Sequence, residues 1–148
     1  MTNAMTTTAP SALDIDTKIA VVLRDDLATW QKLNVTAFLA SGVAATAREA
    51  IGEQYVDADG TEYAPMFGQP VLVFAADAAR LRRTVDRALR RGVQPAIFTA
   101  DLFATGHDAA NRAAVAATGR ADLDLVGIGL RGERRTVDKI VDGLRLHA

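Results

Sequence analysis

Apolar residues fall into two arrangements along this chain: short unbroken runs, and longer stretches in which they recur every three or four positions. The unbroken runs are KIAVVL (18–23), QPVLVFAA (69–76), QPAIFTA (94–100) and LDLVGIGL (123–130). Runs of this length, rich in β-branched residues and bounded by charge, proline or glycine, predict buried strands. Between them lie helical patterns. Thr29 is the expected N-cap of a helix from Trp30 to about Gly42. Residues 77–92 predict an amphipathic helix with Leu81, Val85, Ala88 and Leu89 as its apolar stripe and Gly92 as its stop. An alanine-rich helix is expected over 107–118. A closing helix is expected over 133–144, with Val137, Ile140, Val141 and Leu144 inward.

The first helix is unlike the others. Leu33, Val35, Ala37, Phe38, Leu39 and Ala40 spread over more than one side of it, which predicts a helix covered on both flanks. The segment EQYVDADGTEYAPM (53–66) predicts a hairpin turning at Asp59-Gly60. Strands alternating with helices imply a three-layer α/β/α sandwich. The expected sheet is mixed, mostly parallel and four-stranded, with the β-hairpin as an insertion. The 148 residues suit one domain, expected over 16–147, after a small, polar and disordered segment 1–15.

Composition narrows the chemistry. Apolar residues make up 49% and charged residues 24%, a globular balance, and the net charge of −1 gives no global field for nucleic acid. The absence of cysteine excludes disulfides, thiolate metal sites and a thiol nucleophile. No apolar run approaches a membrane span, and the N-terminus lacks the pattern of a secretory signal, so a cytoplasmic protein is expected. His107 and His147 stand far apart in sequence and assemble no metal-ligand set; neither a metal nor a cofactor is expected. GIGLRG (127–132) fits a dinucleotide pattern, but no further strand or acidic residue follows it at the required distance. Gly127 and Gly129 read instead as sites of close packing. DADG (57–60) lacks the glutamate of a calcium loop and reads as a turn. Arg80, Arg83, Arg87 and Arg90 form a basic stripe that nucleic acid could use, but such stripes are commonly solvated faces.

The candidate site follows from strand direction. Ligands in open α/β sheets sit beyond the carboxyl ends of the strands. Asp26 leaves the first strand at that edge, and Asp101 leaves the third there if the two run parallel. Lys32 lies one turn into the first helix, where helix N–H groups disfavour a cation. Thr36 shares its face four residues on, as Thr105 follows Asp101 by four. A carboxylate across a cleft would offset the position of Lys32. Trp30, in the same turn, offers an indole for stacking on a base or sugar, or for packing on the hairpin or a second subunit.

The phrases VLRDDLATWQKLNVTAFLASG, YVDADG, GQPVLVFA, LFATGHDAANRAAV and DLDLVGIGLRG make the chain similar to the bacterial domain-of-unknown-function family two thousand. In fold and motif order it also resembles the second class of peptidyl-tRNA hydrolases, the archaeal and eukaryotic type. That resemblance rests on Asp26-Leu27, Lys32, Asp101 and Thr105, and implies a peptidyl-tRNA hydrolase II-like fold and a homodimer. Thr36 stands where those hydrolases carry a glutamine, Leu39 where a histidine is common, and a helix follows Thr105 in place of their short loop. The resemblance implies a hydrolase-like enzyme acting on an ester or amide of an anionic, nucleotide-bearing substrate. Asp101 would orient water, Thr105 would hold it, and Lys32 would bind phosphate or the oxyanion, with Asp26, Trp30 and Thr36 contacting ligand. Hydrolysis of peptidyl-tRNA itself is disfavoured by the departures. The alternative is a non-catalytic module that binds a small anion in the same cleft.

Overall fold

KIAVVL lies within β1, Thr17–Arg24, the central strand of the computed structural model, which describes residues 16–148. The segment expected to be disordered, 1–15, lies outside the described residues. Chain order continues with α1 (Thr29–Thr46), a hairpin of β2 (Tyr55–Val56) and β3 (Glu62–Tyr63), β4 (Val71–Ala76), and α2 (Ala78–Arg90). Then come β5 (Ala96–Thr99), a 3-10 turn over Ala100–Ala104, α3 (Asp108–Ala116), β6 (Leu125–Glu133), α4 (Arg134–Ile140) and β7 (Arg145–Leu146).

The main sheet has five strands in the order β5-β6-β1-β4-β7, one more than the four expected from the sequence. It is also less parallel. Only β1 and β4 form a parallel neighbouring pair, while β6 runs antiparallel to both β1 and β5, and β7 antiparallel to β4. The physical reason is local. The chain between β5 and β6, through the 3-10 turn and α3, brings β6 back beside β5 in the opposite direction, and β6 then occupies the place between β5 and β1. The expected helix 133–144 stops at Ile140, and Gly143 then takes a φ of 84°, which redirects the chain into β7. β5 nevertheless points the same way as β1, so the carboxyl ends of both face one edge.

The sheet carries helices on both faces. On one, α2 and α4 bury Leu81, Val85, Ala88, Val137 and Ile140 against Ala20, Val22, Ile128 and Leu130. Leu89, expected in that stripe, is instead exposed. Asp77 caps α2 by accepting from Arg80 N at 2.8 Å. On the other face α1 packs alone, with Val35 and Leu39 against Val21, Leu23, Phe98 and Val126.

The approach of α1 to the sheet is set by glycine. A Cβ at Gly127 would meet Val35 Cγ1 at 2.7 Å and Leu39 Cδ1 at 2.9 Å. Gly42, expected to end the helix, lies within it, and a Cβ there would meet Ala96 Cβ at 2.6 Å. Gly42 therefore allows close approach, and the helix runs on to Thr46. Its N-cap is Ala28, not Thr29; the Gln31 side chain reaches back to accept from Ala28 N at 3.0 Å. The expectation that α1 is covered on both flanks is not met within one chain, since Trp30, Leu33 and Phe38 are 62%, 68% and 52% exposed.

The hairpin forms where expected, pairing Tyr55 with Tyr63 and Val56 with Glu62, with Gly60 at a φ of 85°. Asp57 organises it, accepting from Tyr63 Oη at 2.8 Å and from the amides of Asp59 and Thr61. The Tyr63 hydrogen bond first, and the backbone bonds after it, hold the Asp57 carboxyl below its ordinary pKa.

Candidate functional site

Residues four apart on a helix share a flank, and α1 presents two such rows, Lys32-Thr36 and Trp30-Asn34-Phe38. Each row lines its own cavity.

Lys32 and Thr36 border a cavity of about 590 Å³ whose wall includes Leu23 of β1, Val73 of β4, Thr29, Leu33, His147 and Ala148. Lys32 Nζ lies 3.1 Å from His147 Nε2, and His147 Nδ1 lies 2.8 Å from Ala148 O. An ammonium has only donors, so the bond requires Nε2 to accept, which leaves the ring proton on Nδ1 to donate to Ala148 O. Thr36 Oγ1 donates to Lys32 O at 2.7 Å and so fastens the helix turn. Among the described residues Lys32 makes no ion pair with a carboxylate. At the start of α1 the Gln31 side chain takes the Ala28 N–H, but the N-cap residue offers no side-chain acceptor and the first turn holds no acidic residue.

The second row borders a cleft of about 330 Å³. Trp30, Phe38, Phe98 and Phe103 supply its rings; Asn34, Thr105, His107 and Asn111 supply polar groups. Thr105 Oγ1 lies 3.0 Å from Leu102 O and also contacts the Asn111 side chain.

The expected constellation is therefore divided. Lys32 and Thr36 are together, Trp30 and Thr105 are together on the opposite flank, and Asp101 is exposed on the 3-10 turn after β5 and lines neither cavity. Asp26 is engaged by Arg24, whose Nε donates to it at 2.6 Å while the same guanidinium reaches Asp124 at 2.8 Å. Burial opposes charge on Arg24, but its hydrogen bonds to Asp26 and Asp124 and the charge of those carboxylates outweigh it and raise its pKa. The basic stripe on α2 is partly structural. Arg80 pairs with Asp77 and Arg87 donates to Asp142 O, while Arg82, beside the stripe, donates to the carbonyls of Arg120 and Leu123.

Sequence reasoning passed over His147 as an isolated histidine, because β7, which brings it to Lys32, is too short and polar to read as a strand. It also passed over Asn34, Phe38, Phe98, Phe103 and Asn111. The spacing Trp30-Asn34-Phe38 was the available signal, for it marks one helix flank as the spacing Lys32-Thr36 marks the other. Among the described residues no group of three or more histidines and carboxylates is placed to hold a metal ion, and no helix is long and apolar enough to cross a membrane.

These features define a mixed α/β domain whose single-helix face is hollow on both sides of that helix. The chain belongs to a family of proteins of unknown function, DUF2000, whose profile matches residues 17–148. It is similar to a solved structure of a protein of unknown function, Atu0240, from Agrobacterium tumefaciens strain C58. The two are 50% identical with a TM-score of 0.87, over 90% of this chain and 98% of that one. No curated protein matches.

Proposed function

We propose that this protein binds a small anionic ligand in the cavity beside the first turns of α1. Lys32 acts as the anion-binding group, and His147 and Thr29 line the ligand's surroundings. The observation that carries this reading is the state of Lys32. Its ammonium borders a cavity walled by Leu23, Leu33 and Val73, without a carboxylate partner, and its nearest polar contact is a histidine nitrogen. A charge in partly apolar surroundings gains most from a counterion that enters with its own negative charge. The start of α1, with no acidic residue in its first turn, favours the same sign of ligand. This also gives a reason for a lysine at a helix start: its long side chain carries the charge away from the helix amides towards β7.

The reading is one of binding. Hydrolysis with Lys32, Asp101 and Thr105 acting on one substrate receives less support, because Lys32 and Thr105 line separate cavities and Asp101 lines neither. A peptidyl-tRNA and generic esterase assay is expected to show no turnover, and turnover abolished by Asp101→Asn would reverse that preference. Self-association belongs to the same reading. Tyr55, Val56, Tyr63 and Met66 on and beside the hairpin are each more than half exposed, and a second copy of the chain would cover them. Light scattering is expected to give twice the 15.7 kDa of one chain.

Calorimetric titration with phosphate and with acetate tests the binding reading. Saturable heat is expected from the native protein, with affinity about tenfold or more weaker in Lys32→Met, as befits loss of one charge-assisted hydrogen bond of about 1.5–3 kcal/mol. An unchanged affinity in Lys32→Met, or no saturable heat with either anion, would contradict it.

A further inference from the structure

We propose that the aromatic cleft on the other flank of α1 is a second binding site, for an uncharged, planar heteroaromatic ring with both a hydrogen-bond donor and an acceptor on its edge. This goes beyond the anion site and does not depend on it.

A continuous row of rings lines the cleft. Trp30 meets Phe103 at 5.8 Å between centroids, Phe103 meets Phe98 at 5.1 Å, and Phe98 meets Phe38 at 5.6 Å. The interplanar angles run from 50° to 69°, so none of these contacts is a flat stack. Phe98 is buried at 4% exposure, whereas Trp30 and Phe38 at the ends of the row are more than half exposed. Large rings exposed on both sides of a concave surface mark a place where something else is bound. The volume, about 330 Å³, lies at the small end of ligand pockets, which suits one ring system.

The polar part sets the ligand's edge. A hydroxyl has one proton, yet Thr105 Oγ1 lies against both Leu102 O and the Asn111 side chain. The Thr105 proton is shared between Leu102 O and Asn111 Oδ1, which leaves the Asn111 NH2 group as a donor for a ligand. His107 Nδ1 accepts from Ala110 N at 3.2 Å, so Nε2 carries the ring proton in the neutral form and is free as a donor. The Asn34 amide has no hydrogen-bond partner among the described residues and offers one donor group and one acceptor.

Charge excludes the neighbouring ligand classes. No lysine or arginine lines the cleft, which disfavours an anion. An aromatic surface attracts cations, but the lining carboxylate, Asp108, is already paired with Arg112.

Trp30 is the chain's only tryptophan, so its fluorescence reports on this cleft alone. The native protein would be titrated with adenosine and with nicotinamide, and with tetramethylammonium and cyclohexanol as cationic and aliphatic counterparts. Side-chain amide NMR signals of Asn34 and Asn111 would be followed in parallel. A saturable Trp30 response to at least one of the two heteroaromatics is expected, with both asparagine signals moving and with neither counterpart acting. Phe103→Leu should weaken the response about tenfold, the range seen when one stacking partner is removed. Asn34→Ala, a solvent-exposed change that spares the core, should weaken it several-fold. The proposal is overturned if neither heteroaromatic gives a saturable response at millimolar concentration, or if cyclohexanol or tetramethylammonium acts as strongly. It is equally overturned if Trp30 emission changes with protein concentration alone, which would mean that a second copy of the chain covers the cleft. Because adenosine and nicotinamide carry no charge, failure here and failure of the anion titration are read independently.

Discussion

Two helices cover one face of the sheet and a single helix covers the other, and the difference in cover is where the two cavities arise. Beneath α2 and α4 the side chains close over β1 and β6, leaving Leu81, Ile128, Leu130, Val137 and Ile140 essentially without exposure. On the opposite face α1 lies low over Gly127 and Gly129 and seals only the strip directly under Val35, Leu39 and Val43. A helix is about 10 Å wide, and the sheet extends on either side of it towards β5 and β4. The uncovered margins are the aromatic cleft and the Lys32 cavity. The two-helix face stores stability, and the one-helix face gives up some apolar burial to keep two openings.

Substitutions that break this contrast should differ in size. Leu81→Ala, on the sealed face, should cost the most, about 2–5 kcal/mol by urea unfolding, since nothing nearby is free to collapse into the void. Gly127→Ala should follow at about 1–3 kcal/mol, because the new methyl would displace Val35 and Leu39 and lift α1. Gly119→Ala is its control: the nearest atom to a Cβ there is Asp122 Oδ2 at 4.0 Å, and stability should hold or rise slightly. If Gly127→Ala proves as mild as Gly119→Ala, close approach at Gly127 does not set the height of α1 over the sheet.

The hairpin should give the smallest effect, confined to itself. Asp57 has a depressed pKa in the folded protein, so its contribution is complete above its ordinary value of 3.8 and is lost as pH falls through the lower, folded value. Hairpin NMR signals should therefore persist through mildly acidic pH and collapse below it, with the main sheet unaffected. Tyr63→Phe removes the leading cause and should bring the carboxyl back towards 3.8, read from the Asp57 side-chain carbon. An unchanged titration in that variant would show that the backbone amides alone set it.

The sequence made the sheet-forming runs, the amphipathic α2 and the Asp59-Gly60 turn legible, because each depends on a local period or a turn residue. Strand direction was not legible: nothing in LDLVGIGL distinguishes a strand that crosses back from one that simply returns beside β5. β7 escaped notice because Arg145 and Leu146 carry no apolar run and are defined by pairing with Phe74 and Ala75. The site was half legible for the same reason. Spacing placed Lys32 with Thr36, but the partner of Lys32 comes from a residue 115 positions away, and the separation of Asp101 from it is a matter of sheet order.

His107 and His147, the only histidines in the chain, make the direct test simple. Ring-nitrogen NMR of His147 during a phosphate titration at constant pH reports on the atom that faces Lys32, with His107 as an internal reference. The account predicts a saturable movement of the His147 Nε2 signal, a still His107, and loss of the movement in a folded Lys32→Met variant. A His147 signal that stays fixed while phosphate perturbs only the arginines of α2, or one that moves equally in Lys32→Met, would contradict it.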